Sequence, residues 1–109
     1  MIQIQNITDE AHQRHIIIFQ QSEIILTLRF YQTVSMWCFD VEYKGKIVNG
    51  VKLSAGVLHI RSSNLPFDFA VVGDVIDPFR LDDFKTGRCK LYMLEPIDMD
   101  VIRAAPVPI

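Results

Sequence analysis

The sequence predicts an all-β fold: a small antiparallel β-barrel or sandwich grown from a meander, followed by a proline-bearing C-terminal tail. Three observations carry this. From Glu23 to Leu53, apolar and polar residues alternate with a period of two, the mark of strands with one buried face. Short polar turns separate these runs, as antiparallel hairpins require. Blocks rich in β-branched and aromatic residues, which suit a pleated surface, recur at short spacing along the chain.

In chain order, Ile2 and Ile4 alternate with Gln3 and Gln5 and predict a short opening strand. Asn6 to Arg14 is polar and reads as a loop, with Thr8 placed to cap one helical turn. His15 to Gln21 predicts a strand that is apolar on both sides, hence buried on both faces. Gln21-Ser22-Glu23 then turns the chain into the meander. In its first strand Ile24, Leu26, Leu28 and Phe30 share one face, and Ile25, Thr27, Arg29 and Tyr31 the other. A polar turn over Gln32 to Ser35 leads to a second strand. There Trp37, Phe39, Val41 and Tyr43 lie opposite Met36, Cys38, Asp40 and Glu42. Lys44-Gly45-Lys46 turns the chain into Ile47 to Leu53. Gly50 and Gly56 predict bulges or bends, which let a sheet fold over on itself.

Arg61 to Pro66 reads as a loop, and Phe67 to Val72 as a strand with Phe67, Phe69 and Val71 on one side. Gly73 to Phe84, carrying Asp74, Asp77, Asp82 and Asp83, reads as an exposed loop. After a Lys85-Thr86-Gly87 turn, Arg88 to Leu94 forms the last strand, with Cys89, Leu91 and Met93 opposite Arg88, Lys90, Tyr92 and Leu94. The expected organisation is one domain over residues 1–94 and a tail over 95–109. In the tail, Pro96, Pro106 and Pro108 cannot donate ladder hydrogen bonds. Yet Ile97, Met99, Val101, Ile102, Val107 and Ile109 are apolar. Such a segment either packs on the domain or docks on a partner, so these six residues are the candidate partner contacts.

A chain of 109 residues fits one domain and needs no metal or disulfide to hold a core. The net charge of −2 supplies no basic field for nucleic acid. Cys38 and Cys89 fall in predicted strands and read as buried free thiols. No leader is evident and no apolar run approaches the ~20 residues of a membrane helix, so synthesis in the cytosol is expected.

No catalytic, cofactor-binding or metal-binding residue is expected. His12 and His15 lie three apart in different predicted settings, without a ligand spacing. The acidic loop lacks the Asp-x-Asp-x-Asp-Gly pattern of a calcium loop. Asp40 and Glu42 share a strand face and read as the wet side of a sheet. The cysteines have no flanking nucleophile signature, and the five glycines are scattered one per turn or bend. Trp37, Phe39 and Tyr43 lack the basic surround of a base-stacking platform and read as core or interface. What remains is pairing: many short strands leave edges, and edges template strand addition.

The ordered set Leu28-Arg29-Phe30, Trp37-Cys38-Phe39-Asp40-Val41, Gly50-Val51-Lys52-Leu53, Gly56-Val57 and Arg88-Cys89-Lys90-Leu91-Tyr92-Met93-Leu94 resembles a family of phage proteins. These are the small plug proteins of contractile-tailed bacteriophage baseplates, typified by the cyanophage plug. The resemblance covers about Glu23 to Glu95. It implies a structural virion protein at the centre of the tail baseplate, beside hub and tube-initiating proteins, with no catalysis and no cofactor. The alternative reading is a free-standing small β-barrel that holds an apolar ligand among residues such as Leu28, Phe39 and Phe69.

Overall fold

The structure, a computed structural model, describes residues 1–60, 63–73 and 77–98. Seven strands form in order: β1 (Ile2–Gln3), β2 (His12–Phe19), β3 (Ser22–Tyr31), β4 (Met36–Tyr43), β5 (Lys46–Lys52), β6 (Asp68–Gly73) and β7 (Cys89–Leu94). They make two antiparallel sheets, β2-β3-β4-β5 and β1-β7-β6. The sheets do not join into a closed barrel, so of the two all-β architectures expected, the sandwich is the one formed.

Local chemistry explains the large sheet. The β2–β3 and β4–β5 hairpins each close through two left-handed residues, Gln20-Gln21 and Lys44-Gly45. That backbone matches the strand twist of a tight hairpin. The β3–β4 turn spans 32–35, as the polar run predicts. Between β4 and β5 the register slips between Phe39 and Val41. Gly50 sits there at φ +67°, and its N–H donates to Asp40 Oδ1 at 2.7 Å. The glycine therefore marks a bulge, as its place inside a strand pattern suggests.

The inner face of this sheet is the one the alternation marks. Ile24, Leu26, Leu28, Trp37, Phe39, Val41 and Tyr43 are all buried. Phe69, Val71, Cys89, Leu91 and Met93 of the small sheet meet them. Aromatic edges interlock across the seam: Tyr43 with Phe67 at 5.2 Å, Phe67 with Phe69 at 5.7 Å and Phe69 with Phe39 at 5.4 Å between centroids. Edge-to-face contacts of this kind add about 0.5–1.5 kcal/mol each beyond their buried area.

Two connections complete the core. In the first, Asp68 is fully buried, and its Oδ1 accepts the N–H groups of His59, Ile60 and Phe69 at 2.7–3.0 Å. His59 donates from Nδ1 to the Phe69 carbonyl (2.7 Å) and accepts the Ser54 N–H at Nε2 (2.8 Å). This pair of bonds fixes one neutral tautomer and ties the β5–β6 crossing to both sheets. In the second, the segment 77–88 lies over Trp37, whose Nε1–H donates to the Arg80 carbonyl at 2.9 Å. Phe84 packs edge-on to the same indole at 5.5 Å.

Four expectations are corrected. β2 begins at His12 rather than His15, because Gln13 is buried and staples the loop before it. Its amide bonds Thr8 N–H, Thr8 C=O and Glu10 C=O at 2.9–3.0 Å. The helical turn at Thr8 does not form; its hydroxyl instead accepts the Glu10 N–H at 3.3 Å. β2 is not buried on both faces: Ile16 and Ile18 are 58% and 67% exposed. Finally, the acidic loop is not simply solvated. Asp83 is 1% exposed and accepts two bonds from Arg88 (2.7 and 2.6 Å) and two from the N–H groups of Phe79 and Arg80 (2.7 Å each). Asp74 of that loop lies outside the described residues.

Burial by itself raises the Asp83 pKa, but the Arg88 and backbone hydrogen bonds and the guanidinium charge outweigh it and bring the value to about 2. A carboxyl depressed on folding stabilises the fold fully above its unfolded pKa, and that stabilisation is lost as pH falls through the folded value. Asp83→Asn is therefore expected to destabilise the domain by about 3 kcal/mol at neutral pH, because it removes the buried carboxylate charge that pairs with the Arg88 guanidinium. The gap between wild type and variant should close as pH falls from about 4 towards 2. Urea unfolding across that range checks both.

Candidate functional site

The large sheet has a second face, which nothing in the described chain covers. Strand register places its side chains in rows. Ile16 lies beside Ile25, Ile25 beside Glu42, and Glu42 beside Ile47. One step along β2, Ile18 lies beside Glu23. Ile16, Ile18 and Ile47 are each more than half exposed. A row of isoleucines on the outer face of a monomer's sheet is unusual, because sheet faces open to water are polar.

Next to this row lies a shallow depression of about 300 Å³, lined by Arg14, Thr27, Asp40 and Glu42 with Ile25 and Ile47. Asp40 is already engaged there, by Arg29 at 2.7 Å and by the Gly50 N–H. It is a structural carboxylate that pins the bulge, not a free acid–base group. A second depression, about 390 Å³ and mostly apolar, is bounded by Ala11, Phe30, Gln32, Arg80 and Leu81. Leu81, in its wall, is partly exposed.

The reactive side chains are dispersed and occupied. His12 is exposed on β2. His15 is half-buried with Nε2 2.8 Å from Gln13 Oε1, and burial lowers its pKa. His59 is held in the crossing described above. Cys38 and Cys89 are both buried and unbridged. Burial and the Asp40 charge push the Cys38 thiol up, against a weaker pull from Lys52. Among the described residues no group of three His, Cys, Asp or Glu is placed to hold a metal ion. No described helix is long and apolar enough to cross a membrane.

The cavity-lining role considered for Leu28, Phe39 and Phe69 does not hold. All three are within 1% of complete burial and pack in the core, Phe39 against Phe69. Of the six candidate partner contacts, Ile97 is 71% exposed, in a helical turn at 96–98. Met99, Val101, Ile102, Val107 and Ile109 lie outside the described residues. The structure adds Ile16 and Ile18, which the sequence reading had put inside, and Ile47, to which it had given no face. The available signal was an isoleucine at alternate positions on both sides of a strand, which only the packing could divide into inner and outer.

These features define a class: a small antiparallel β-sandwich with a filled core and an apolar outer sheet face, whose capacity lies in surface contact. Among curated proteins no sequence matches the chain. A family model does, described as the cyanophage baseplate Pam3 plug gp18, over residues 1–96. The chain belongs to this family of phage baseplate plug proteins. The match extends the resemblance read from Glu23 to Glu95 to the opening segment as well. A baseplate plug is a structural part of the virion tail and works by contact with other baseplate proteins.

Because the outer isoleucines make few contacts in the free chain, replacing them should cost little. Ile16→Lys and Ile47→Lys are each expected to shift unfolding by no more than about 0.5 kcal/mol. Ile24→Ala, on the opposite face of β3, should cost about 3 kcal/mol. Urea denaturation of the three variants measures the contrast.

Proposed function

We propose that this chain is the central plug of a contractile tail baseplate, held by protein–protein contacts with the hub and the tube-initiator proteins, and that it performs no catalysis. It would be made in the host cytoplasm and reach its place by assembly. The observation that carries this is the outer face of β2-β3-β4-β5, which presents Ile16, Ile18 and Ile47 to water in a chain of the baseplate plug family. Burying one isoleucine is favourable by about 1.5–3 kcal/mol, so the Ile16 and Ile18 pair on β2, with Ile47 across the same face beyond Glu42, anchors an interface of ordinary size. The apolar residues Ile97, Met99, Val101, Ile102, Val107 and Ile109 are proposed to contribute to the same contacts. The dispersal of histidine, cysteine and carboxylate groups supports a structural role over turnover.

The test is co-purification and sedimentation of the chain with hub and tube-initiator proteins from the same phage. Wild type is expected to enter a complex, and the double variant Ile16→Lys/Ile18→Lys to bind at least about tenfold more weakly while remaining folded. A stable monomer that ignores both proteins at micromolar concentrations would overturn the assignment.

A further inference from the structure

β2 is an open sheet edge. Its hairpin closes through the two-residue turn at Gln20-Gln21, so Phe19 and Ser22 form a hydrogen-bonded pair, and the bonding alternates from there. The Phe30 N–H donating to the Ala11 carbonyl at 2.7 Å keeps that alternation one step beyond the strand. The odd-numbered residues of β2 therefore bond to β3, and Arg14, Ile16 and Ile18 turn their N–H and C=O groups away from the sheet. Among the described residues no backbone bond reaches these groups. The remaining edges are poorer templates. β1 has two residues, β5 is bulged at Gly50 and flanked by Lys46 and Lys52, and Ala55 bridges β6 on its far side. β2 carries no proline and no lysine in eight residues, the profile of an edge that accepts a strand.

The strand that fits this edge is β2 of another copy. When two identical strands pair antiparallel, outward-bonding residues face outward-bonding residues, so the two-fold axis falls at one residue and that residue sets the register. With the axis at Ile16, Ile16 faces its own copy and Arg14 faces Ile18 of the second copy. Ile18 lies beside Glu23 on β3. Arg14 of one copy thus shares a row with Glu23 of the other, two strand spacings or about 10 Å away at the backbone, within reach of two long side chains. Both residues are exposed, and among the described residues neither is in an ion pair. The two-fold repeats the contact at the other end. The neighbouring registers fit less well. An axis at Arg14 sets guanidinium against guanidinium. One at His15 leaves Arg14 in a row with Ile16, Ile25 and only then Glu42 of the second copy. One at Ile17 moves Arg14 against the hairpin turn at Gln20.

The same register joins the apolar rows. Glu42, Ile25 and Ile16 of one copy continue into Ile16, Ile25 and Glu42 of the other, an isoleucine row closed by a carboxylate at each end. Ile16 and Ile18, the isoleucines left most open on β2, gain cross-strand neighbours at the seam. We infer that the free chain pairs with a second copy through β2, antiparallel about a two-fold axis at Ile16, to make one continuous eight-stranded sheet pinned at both ends by Arg14 of one copy and Glu23 of the other. The pairing consumes the strand edge and leaves Ile47 and the rest of the outer face open. It concerns the free chain alone, so it stands or falls separately from the baseplate partners.

Sedimentation equilibrium and amide hydrogen exchange on the full chain, without other proteins, test it. Wild type is expected to dimerise with a Kd below about 1 mM. The Arg14, Ile16 and Ile18 amides should gain protection as concentration rises, while those of Gln13, His15 and Ile17, bonded to β3, stay protected throughout. Arg14→Glu and Glu23→Arg are each expected to weaken the dimer about tenfold, since each sets like charges together at both ends of the seam. The double variant Arg14→Glu/Glu23→Arg should restore it to within about threefold of wild type. A chain that stays monomeric at millimolar concentration would overturn the inference. So would edge amides protected equally at every concentration, because the edge would then be covered from within one chain. A dimer that the single variants leave intact, or that the double variant fails to restore, would also overturn it.

Discussion

A small sheet has to cover a larger one, and the rest of this structure follows from that mismatch. Three strands, one of them only two residues long, face four. The inner row of β3 and β4 is apolar from end to end, so any part left uncovered would expose several large side chains at once. The connections make up the difference. Phe67 enters from the β5–β6 crossing and meets Phe19, Tyr43 and Phe69. Phe84 and the Arg80 carbonyl enter from the 77–88 segment and cover Trp37.

Irregular backbone inside a core needs its polar groups satisfied, and two buried aspartates serve this. Asp68 collects three N–H groups through one oxygen. Asp83 collects two N–H groups and the Arg88 guanidinium. The guanidinium in turn stacks 4.8 Å from the Phe79 ring, so the ion pair also orients this partly exposed aromatic. The same device that finishes the core thereby shapes part of the surface. For a protein whose family works by contact, the stability of these connections is also the definition of its outer form.

Much of this was legible beforehand. The inner faces of β3, β4 and β7, the turn over 32–35, the bulge at Gly50 and the burial of both cysteines follow from alternation, turn chemistry and residue type. The misplaced features share a cause. Ile16 and Ile18 read as buried because isoleucine is usually buried, and Asp83 read as solvated because it stands among other acids. The left-handed pair Gln20-Gln21 carries no glycine or asparagine to announce it. In each case the residue's own type pointed one way, and its folded surroundings decided otherwise.

The sequence by itself determined the strands, their apolar faces and the family, because period-two alternation and short turns act over a few residues. It did not determine whether the sheets close into a barrel or stack as a sandwich, which side of β2 meets water, or which aspartate is buried. Those depended on how many strands stand opposite each face and on where Arg88 and Trp37 come to lie. Only the assembled chain sets these distances, since burial is a property of what lies across a gap and not of the residue alone.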